Sequence, residues 1–226
     1  MPVDWQPFIL TLQLALTTTA ILVFIGIPLG YWLAYSTFRF KPVAEAVISL
    51  PLVLPPSVLG FYLLLAFSPA NAFGQWLQHW FGIRLLFSFP GLVVASCIYS
   101  LPFVVQPVQA GLQSLPADLK QASYTLGKSR LQTLLCVLLP NIKPSLLTGI
   151  VLSFAHTIGE FGLVLMIGGN IQGRTRTASI AIYDEVEALN FSTAHLYAAI
   201  LLAISFFILL IVYTSNRKLR RSITGL

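Results

Sequence analysis

Apolar residues run through this chain in long blocks, broken by short polar stretches. A helix needs about 20 mostly apolar residues to cross roughly 30 Å of hydrocarbon. Five blocks meet or approach that length: residues 8–35, 43–67, 89–110, 144–168 and 194–213. They predict an all-α integral membrane protein of about five transmembrane helices, in a single domain over residues 1–226. Composition agrees. Hydrophobic residues make up 57% of the chain and charged residues 9%, against roughly 25% charged in soluble domains.

The charges fix a sidedness. Arg39, Lys41, Lys120, Lys128, Arg130, Lys143, Arg217, Lys218, Arg220 and Arg221 fall on one side if the five blocks alternate, ten of the thirteen Lys and Arg. Only Arg84, Arg174 and Arg176 fall on the other. Positive loops stay in the cytoplasm, so the N-terminus is expected outside and the C-terminus inside. The net charge of +6 then has a topological cause, and no basic face with stacking aromatics predicts a nucleic-acid partner. The basic tail from Arg217 to Arg221 reads as an anchor to anionic membrane lipid. Cys97 and Cys136 show neither metal spacing nor a disulfide framework and are read as packing residues.

Two outer loops are long. Residues 68–88 carry Trp76, Trp80 and Phe81, an aromatic anchor for the interface. Residues 169–195 begin with a Gly- and Asn-rich turn, and then predict a short amphipathic helix over 177–190 with Ile182, Val186 and Leu189 on one face. Arg174 and Arg176 could pair with Asp184, Glu185 or Glu187, or meet acids on an external partner.

The cytoplasmic stretch 111–143 is more specific. Pro116, Ala117 and Asp118 mark a helix start, with the acid near the positive end. Leu119, Ala122 and Leu126 share a face, and Gly127 ends the helix. A second amphipathic stretch leads from Ser129 to Leu139 and Pro140. Residues 122–129 also fit a relaxed phosphate-loop pattern, but no β-rich run precedes them, as that loop requires. The chain is therefore expected to bind no nucleotide and no other cofactor. Nor does any His-rich, Cys-rich or paired-carboxylate constellation predict catalysis.

Two membrane segments carry sequence breaks. In the second, Pro55 and Pro56 fall near the middle, and prolines free carbonyls that hydrocarbon cannot satisfy. They form either a structural kink or the lining of a translocation path. In the fourth, His156 and Glu160 sit four apart, on one face of a continuous helix. Gly159 and Gly162 would let a neighbouring helix approach. An acid at the bilayer centre costs about 2.5–3.5 kcal/mol, so Glu160 is expected to face the bundle interior or a cavity. It would either pair with His156 to order the bundle or hold a gate.

The stretch from Gln121 resembles the "EAA" loop of ABC importer permeases: Glu-Ala-Ala, three residues, Gly, nine residues, Ile, one residue, Leu-Pro. Here Gln121, Ala122, Ser123, Gly127, Val137, Leu139 and Pro140 hold those places. Gln stands for the usual Glu, which removes any ionic contact made there. Residues 156–171, 49–65 and 173–191 resemble the molybdate and sulfate-type permeases, the last two the molybdate branch in particular. The resemblance implies a type I ABC importer permease-like fold, in the bacterial inner membrane, moving molybdate or the nearly identical tungstate. It implies a homodimer, two ATP-binding cassette subunits that hold ATP and magnesium, and a periplasmic oxyanion-binding protein. The loop with Asp118, Gln121, Ala122, Ser123, Gly127, Leu139 and Pro140 would dock on the cassette. A permease for sulfate or thiosulfate and an ion-gradient-coupled secondary transporter are the alternatives.

Overall fold

The structure is a computed structural model. It describes the backbone of residues 3–224 and the side chains of residues 3–214. The side chains of Arg217, Lys218, Arg220 and Arg221, which the sequence assigns to a lipid anchor, lie outside the described residues. In chain order the helices are α1 (Gln6–Tyr35), α2 (Lys41–Ser49), α3 (Pro56–Phe67), α4 (Ala72–Phe81), α5 (Phe89–Gln113), α6 (Ala117–Thr125), α7 (Arg130–Thr133), α8 (Leu139–Asn141), α9 (Lys143–Gly159), α10 (Gly162–Gly168), α11 (Ala178–Glu187) and α12 (Phe191–Thr224). A 3-10 turn, Leu50–Leu52, follows α2, and a π-helical turn, Leu134–Leu138, joins α7 to α8. No strand occurs among the described residues.

Helices α1, α5 and α9 form the centre. Gly26 and Gly30, four apart on α1, meet α5 so closely that a Cβ would come within 2.7 Å of Val104 and of Val108 respectively. Lipid tails are as apolar as leucine, so membrane helices gain by close packing through small residues. On α9, Gly149 likewise faces the backbone of Val104. Hydroxyls join the same three helices: Ser153 donates to Thr19 at 3.3 Å, and Ser100 lies 3.3 Å from Thr157. Leu14, Leu22, Val104, Val108 and Leu112 are fully buried between them.

α1, α5 and the described part of α12 are each long and apolar enough to cross a membrane, as the first, third and fifth blocks predict. α12 touches the rest mainly through its first turns, where Ala194 and Tyr197 are buried and Tyr197 stacks edge-on against Phe8 at 5.5 Å. Farther along, Ile200, Leu201 and Ile204 are partly buried against the same cluster, while Leu202, Phe206, Phe207, Leu210 and Ile211 are exposed.

The second and fourth blocks depart from expectation. Neither is one straight helix. The axis bends by 108° between Lys41–Leu52 and Pro56–Phe67, because Pro51, Pro55 and Pro56 withhold the amides that would carry one helix through. The near half is held against α5 by Gln109 donating to Glu45 at 2.7 Å and Gln106 to Ser49 at 3.0 Å. The fourth block stops at Gly159 and restarts at Gly162, with Glu160 extended at φ −72, ψ 133. Its start also turns, by 82° between Arg130–Asn141 and Lys143–Gly159.

The amphipathic helix expected before α12 exists, but of its expected face only Ile182 is partly buried. Ala178, Ile180 and Ala181 pack inward, whereas Val186 and Leu189 are exposed. Small alanines let α11 sit close to α1, where the Ala178 amide donates to Thr11 Oγ1 at 2.9 Å. Leu189 has already left the helix, at φ +58. The long loop before α5 contains α4, with Trp76 and Trp80 exposed. Cys97 is half-buried and Cys136 exposed, so only the first fits the packing role.

Candidate functional site

Two places gather the residues singled out by sequence. The first is α6 with the Gly127 turn and α7. Asp118 lies in the first turn of α6, beside the positive end of the helix dipole. Ser123 is buried and its hydroxyl lies 2.9 Å from Thr133 Oγ1, pinning α6 to α7. Gly127 closes the helix at φ +76 with open space where a Cβ would be. Only glycine adopts that region freely. Ser129 then starts α7 with a reciprocal cap: Gln132 N–H donates to Ser129 Oγ at 3.2 Å, and Ser129 N–H to Gln132 Oε1 at 3.0 Å.

The expected shared face of Leu119, Ala122 and Leu126 is not a buried one. Leu119 packs against the apolar cluster of Leu112 and Leu138, while Gln121, Ala122 and Leu126 are exposed. Leu126, Leu131 and Leu135 are exposed on either side of the Gly127 turn, beside the exposed Lys128 and Arg130. Leu139 and Pro140 are half-buried after the π turn, which precedes the one residue that cannot donate. Residues 122–129 are the last turn of α6 and the turn to α7, not a loop between a strand and a helix.

The second place unites the two breaks. α3 and α10 pack side by side. A Cβ on Gly162 would lie 3.3 Å from Pro56 Cβ, and one on Gly60 3.0 Å from Met166 Cβ. Pro56 and Gly162 therefore meet, though far apart in sequence, and Pro55 is exposed beside them. Gly159 does not serve helix approach: nothing lies within 4 Å of its Cβ position.

Glu160 is 7% exposed. Its Oε1 accepts from the Leu163 amide at 2.8 Å, and its carbonyl from Ser179 Oγ at 2.8 Å. The carboxylate thus satisfies the start of α10 at the positive end of its dipole. The expected pairing with His156 does not form. His156 Nδ1 lies 3.0 Å from Ser100 Oγ, and its ring contacts those of Tyr99 and Phe103 at 4.6 and 4.3 Å. The helix ends between the two residues, so the four-residue spacing no longer puts them on one face. Beside the break opens a cleft of about 350 Å³ lined by Gly159, Phe161, Ser179, Ile182, Tyr183 and Val186. It holds hydroxyls and apolar walls and no cation.

In the loop before α11, Arg176 bonds Asp184 at 3.0 Å, and Asn170 donates to both oxygens of the same carboxylate at 3.0 Å. The intramolecular pairing is thus the one formed by Arg176. Arg174 is exposed, by Gln13 and Ser88. Among the described residues no three His, Cys, Asp or Glu gather as a metal site. Sequence reading missed the hydroxyl contacts of Thr19, Ser100, Ser153 and Thr157. Their signal was the recurrence of Ser and Thr inside apolar blocks.

Residues 26–221 match the family described as binding-protein-dependent transport system inner membrane component. The chain is 46% identical to the molybdenum transport system permease protein ModB of Azotobacter vinelandii, over 92% of each chain. It is 35% identical to ModB of Escherichia coli K12, over 81% of this chain and 80% of that one. With the sulfate transport system permease protein CysT of Salmonella typhimurium it shares 34%, over 88% of this chain and 72% of that one. Among solved structures, a chain of the inward-facing MetNI methionine ABC transporter superposes with a TM-score of 0.73 at 17% identity, covering 94% of both chains. A chain of a bacterial ABC transporter importing the acidic polysaccharide alginate gives 0.75 at 17%, covering 96% of this chain and 80% of that one. These likenesses show an all-helical importer-permease fold.

Proposed function

The chain belongs to the binding-protein-dependent transport system inner membrane components, multi-pass membrane subunits of ABC transporters and not enzymes, and from that premise we propose that it carries molybdate into a bacterial cell. The carrying observation is the 46% identity with a molybdenum permease across 92% of both chains. Two copies pair around a central path. Two cassette subunits, which hold the ATP and magnesium, dock on the α6 turn from Gln121 to Gly127. A periplasmic oxyanion-binding protein delivers the anion from the other side.

The exposed Leu126, Leu131 and Leu135 near the Gly127 turn support the docking assignment, since exposed leucines on a membrane protein's polar end call for a partner. Two contacts support the orientation. Gly173 lies by Gln6, so the loop with Arg174 and Arg176 shares the outer end with the start of α1. Lys120 sits on Tyr35 at the other end of α1, with most of the basic residues. The outer end with the N-terminus then faces the periplasm.

In the cycle, ATP draws the cassettes together, and α6 moves as a rigid body because Ser123 and Thr133 lock it to α7. The break at Glu160 and Pro56 gives the path two short helices, α3 and α10, that shift together. Glu160 holds this gate by capping α10 rather than by touching the anion, which a free carboxylate would repel. Selectivity resides in the binding protein.

A sulfate permease is the second reading, favoured by the 34% identity with CysT. The experiment is uptake into vesicles holding this chain with its cassette subunit and binding protein. Uptake of molybdate that needs ATP, and that tungstate but not sulfate blocks, supports the proposal. Block by sulfate gives the second reading. Uptake that ignores ATP and follows an ion gradient makes the chain a secondary transporter.

A further inference from the structure

At the inner end of α1, Lys120 of α6 places its ammonium 3.6 Å from the centre of the Tyr35 ring and 5.6 Å from that of Tyr31. The two rings meet edge to face at 5.1 Å. Tyr35 is itself fixed, donating from its hydroxyl to the Leu112 carbonyl of α5 at 3.3 Å. Among the described residues, no carboxylate lies within 4 Å of Lys120. The half-buried ammonium therefore has aromatic faces where a surface lysine would have water or an acid.

Such a contact is directional. The ring quadrupole attracts the cation only over its face, so the lysine follows the ring or loses the attraction. α6 touches α7 through Ser123, and it meets α1 through Lys120 and through Leu119, which shares an apolar cluster with Tyr31 and Tyr35. The geometry points to Lys120 as a positioning residue that ties the motion of the docking helix to α1, with Tyr35 and Tyr31 as its seat. This inference rests on the reading of α6 as the cassette-docking helix. α1 carries the Gly26 and Gly30 seam into the centre of the bundle, so a displacement received at Tyr35 reaches α5 as well.

The test uses the reconstituted transporter in vesicles, with ATP hydrolysis and molybdate uptake measured together. Lys120→Gln should leave hydrolysis running and lower uptake per ATP by about five-fold or more, the factor that one desolvated contact commands. Lys120→Arg should restore it, since a guanidinium stacks on the same ring. Tyr35→Phe should keep it, because the ring stays while the hydroxyl bond goes, and Tyr35→Leu should lose it. The second arm is the distance between spin labels at Thr37 and Ala117, both exposed, in a background with Cys97→Ala and Cys136→Ala. It should be equal without nucleotide and with ATP, and should change with ATP once Lys120→Gln is added. Unaltered uptake per ATP in Lys120→Gln overturns the inference, as does equal loss in Lys120→Arg or a label distance that changes with ATP in the unsubstituted seat. If Lys120→Gln fails to assemble, the Tyr35 pair decides by the same criterion. If the unsubstituted transporter takes up no oxyanion, the functional reading fails and the label distance alone judges the seat.

Discussion

The two broken segments of this bundle reach the same end by opposite chemistry. Between Leu52 and Pro56 the chain bends by 108° because prolines remove amide donors. Between Gly159 and Gly162 no proline occurs, the donors remain, and a buried carboxylate answers one of them. The first break is made by subtraction and needs no side-chain partner. The second is made by addition and depends on one. A membrane protein can therefore interrupt a helix by never creating an unmet group, or by supplying its partner. The two solutions lie against each other at Pro56 and Gly162, so each also serves as the other's wall.

That contrast breaks first at its dependent half. Glu160→Leu should cost about 3 kcal/mol, because the Leu163 amide is left buried and unmade. Thermal unfolding in detergent measures it, and Glu160→Gln, which keeps an acceptor, should lose less than half as much. Gly162→Leu attacks the shared wall and should cost about 2 kcal/mol, through strain against Pro56, by the same assay. A third test separates Glu160 from His156. A double-mutant cycle of His156→Phe with Glu160→Gln should be additive within about 0.5 kcal/mol, whereas His156→Phe with Ser100→Ala should couple by about 1 kcal/mol. Coupling of the first pair would mean that the break leaves the two side chains in contact after all. The smallest effect belongs to the subtractive half. Pro55→Ala should cost about 0.5 kcal/mol, through the looser unfolded chain alone, since Pro51 and Pro56 still forbid one helix. A change in the Pro55→Ala backbone, read by proteolysis of the second segment, would show that a single proline carries the bend.

This difference also decides what was legible in the sequence. α1, α5 and α12 follow from length and apolarity alone, and the end of α6 from Gly127. The proline break was legible as an interruption, because a missing donor is a property of the residue itself, but not as a bend of 108°, which packing against α5 and α10 sets. The glutamate break was not legible. Residues 144–168 have the composition of one helix, and nothing local says that Glu160 will leave it to cap the next. Likewise Ile182, Val186 and Leu189 have the right spacing for a buried face. Only the closeness of α1 makes Ala178 and Ala181 the better one. The seat of Lys120 joins residues distant in sequence, and no spacing rule reports it.

The glycine seam of α1 sets a clock on biogenesis. Gly26 and Gly30 have no cover until Val104 and Val108 exist. Ribosomes add about 5–20 residues per second, so roughly 4–16 s pass between completion of α1 and completion of α5. For that interval α1 stands in the lipid with a bare groove along one side, and it is during synthesis, rather than in the finished transporter, that a membrane chaperone would find it.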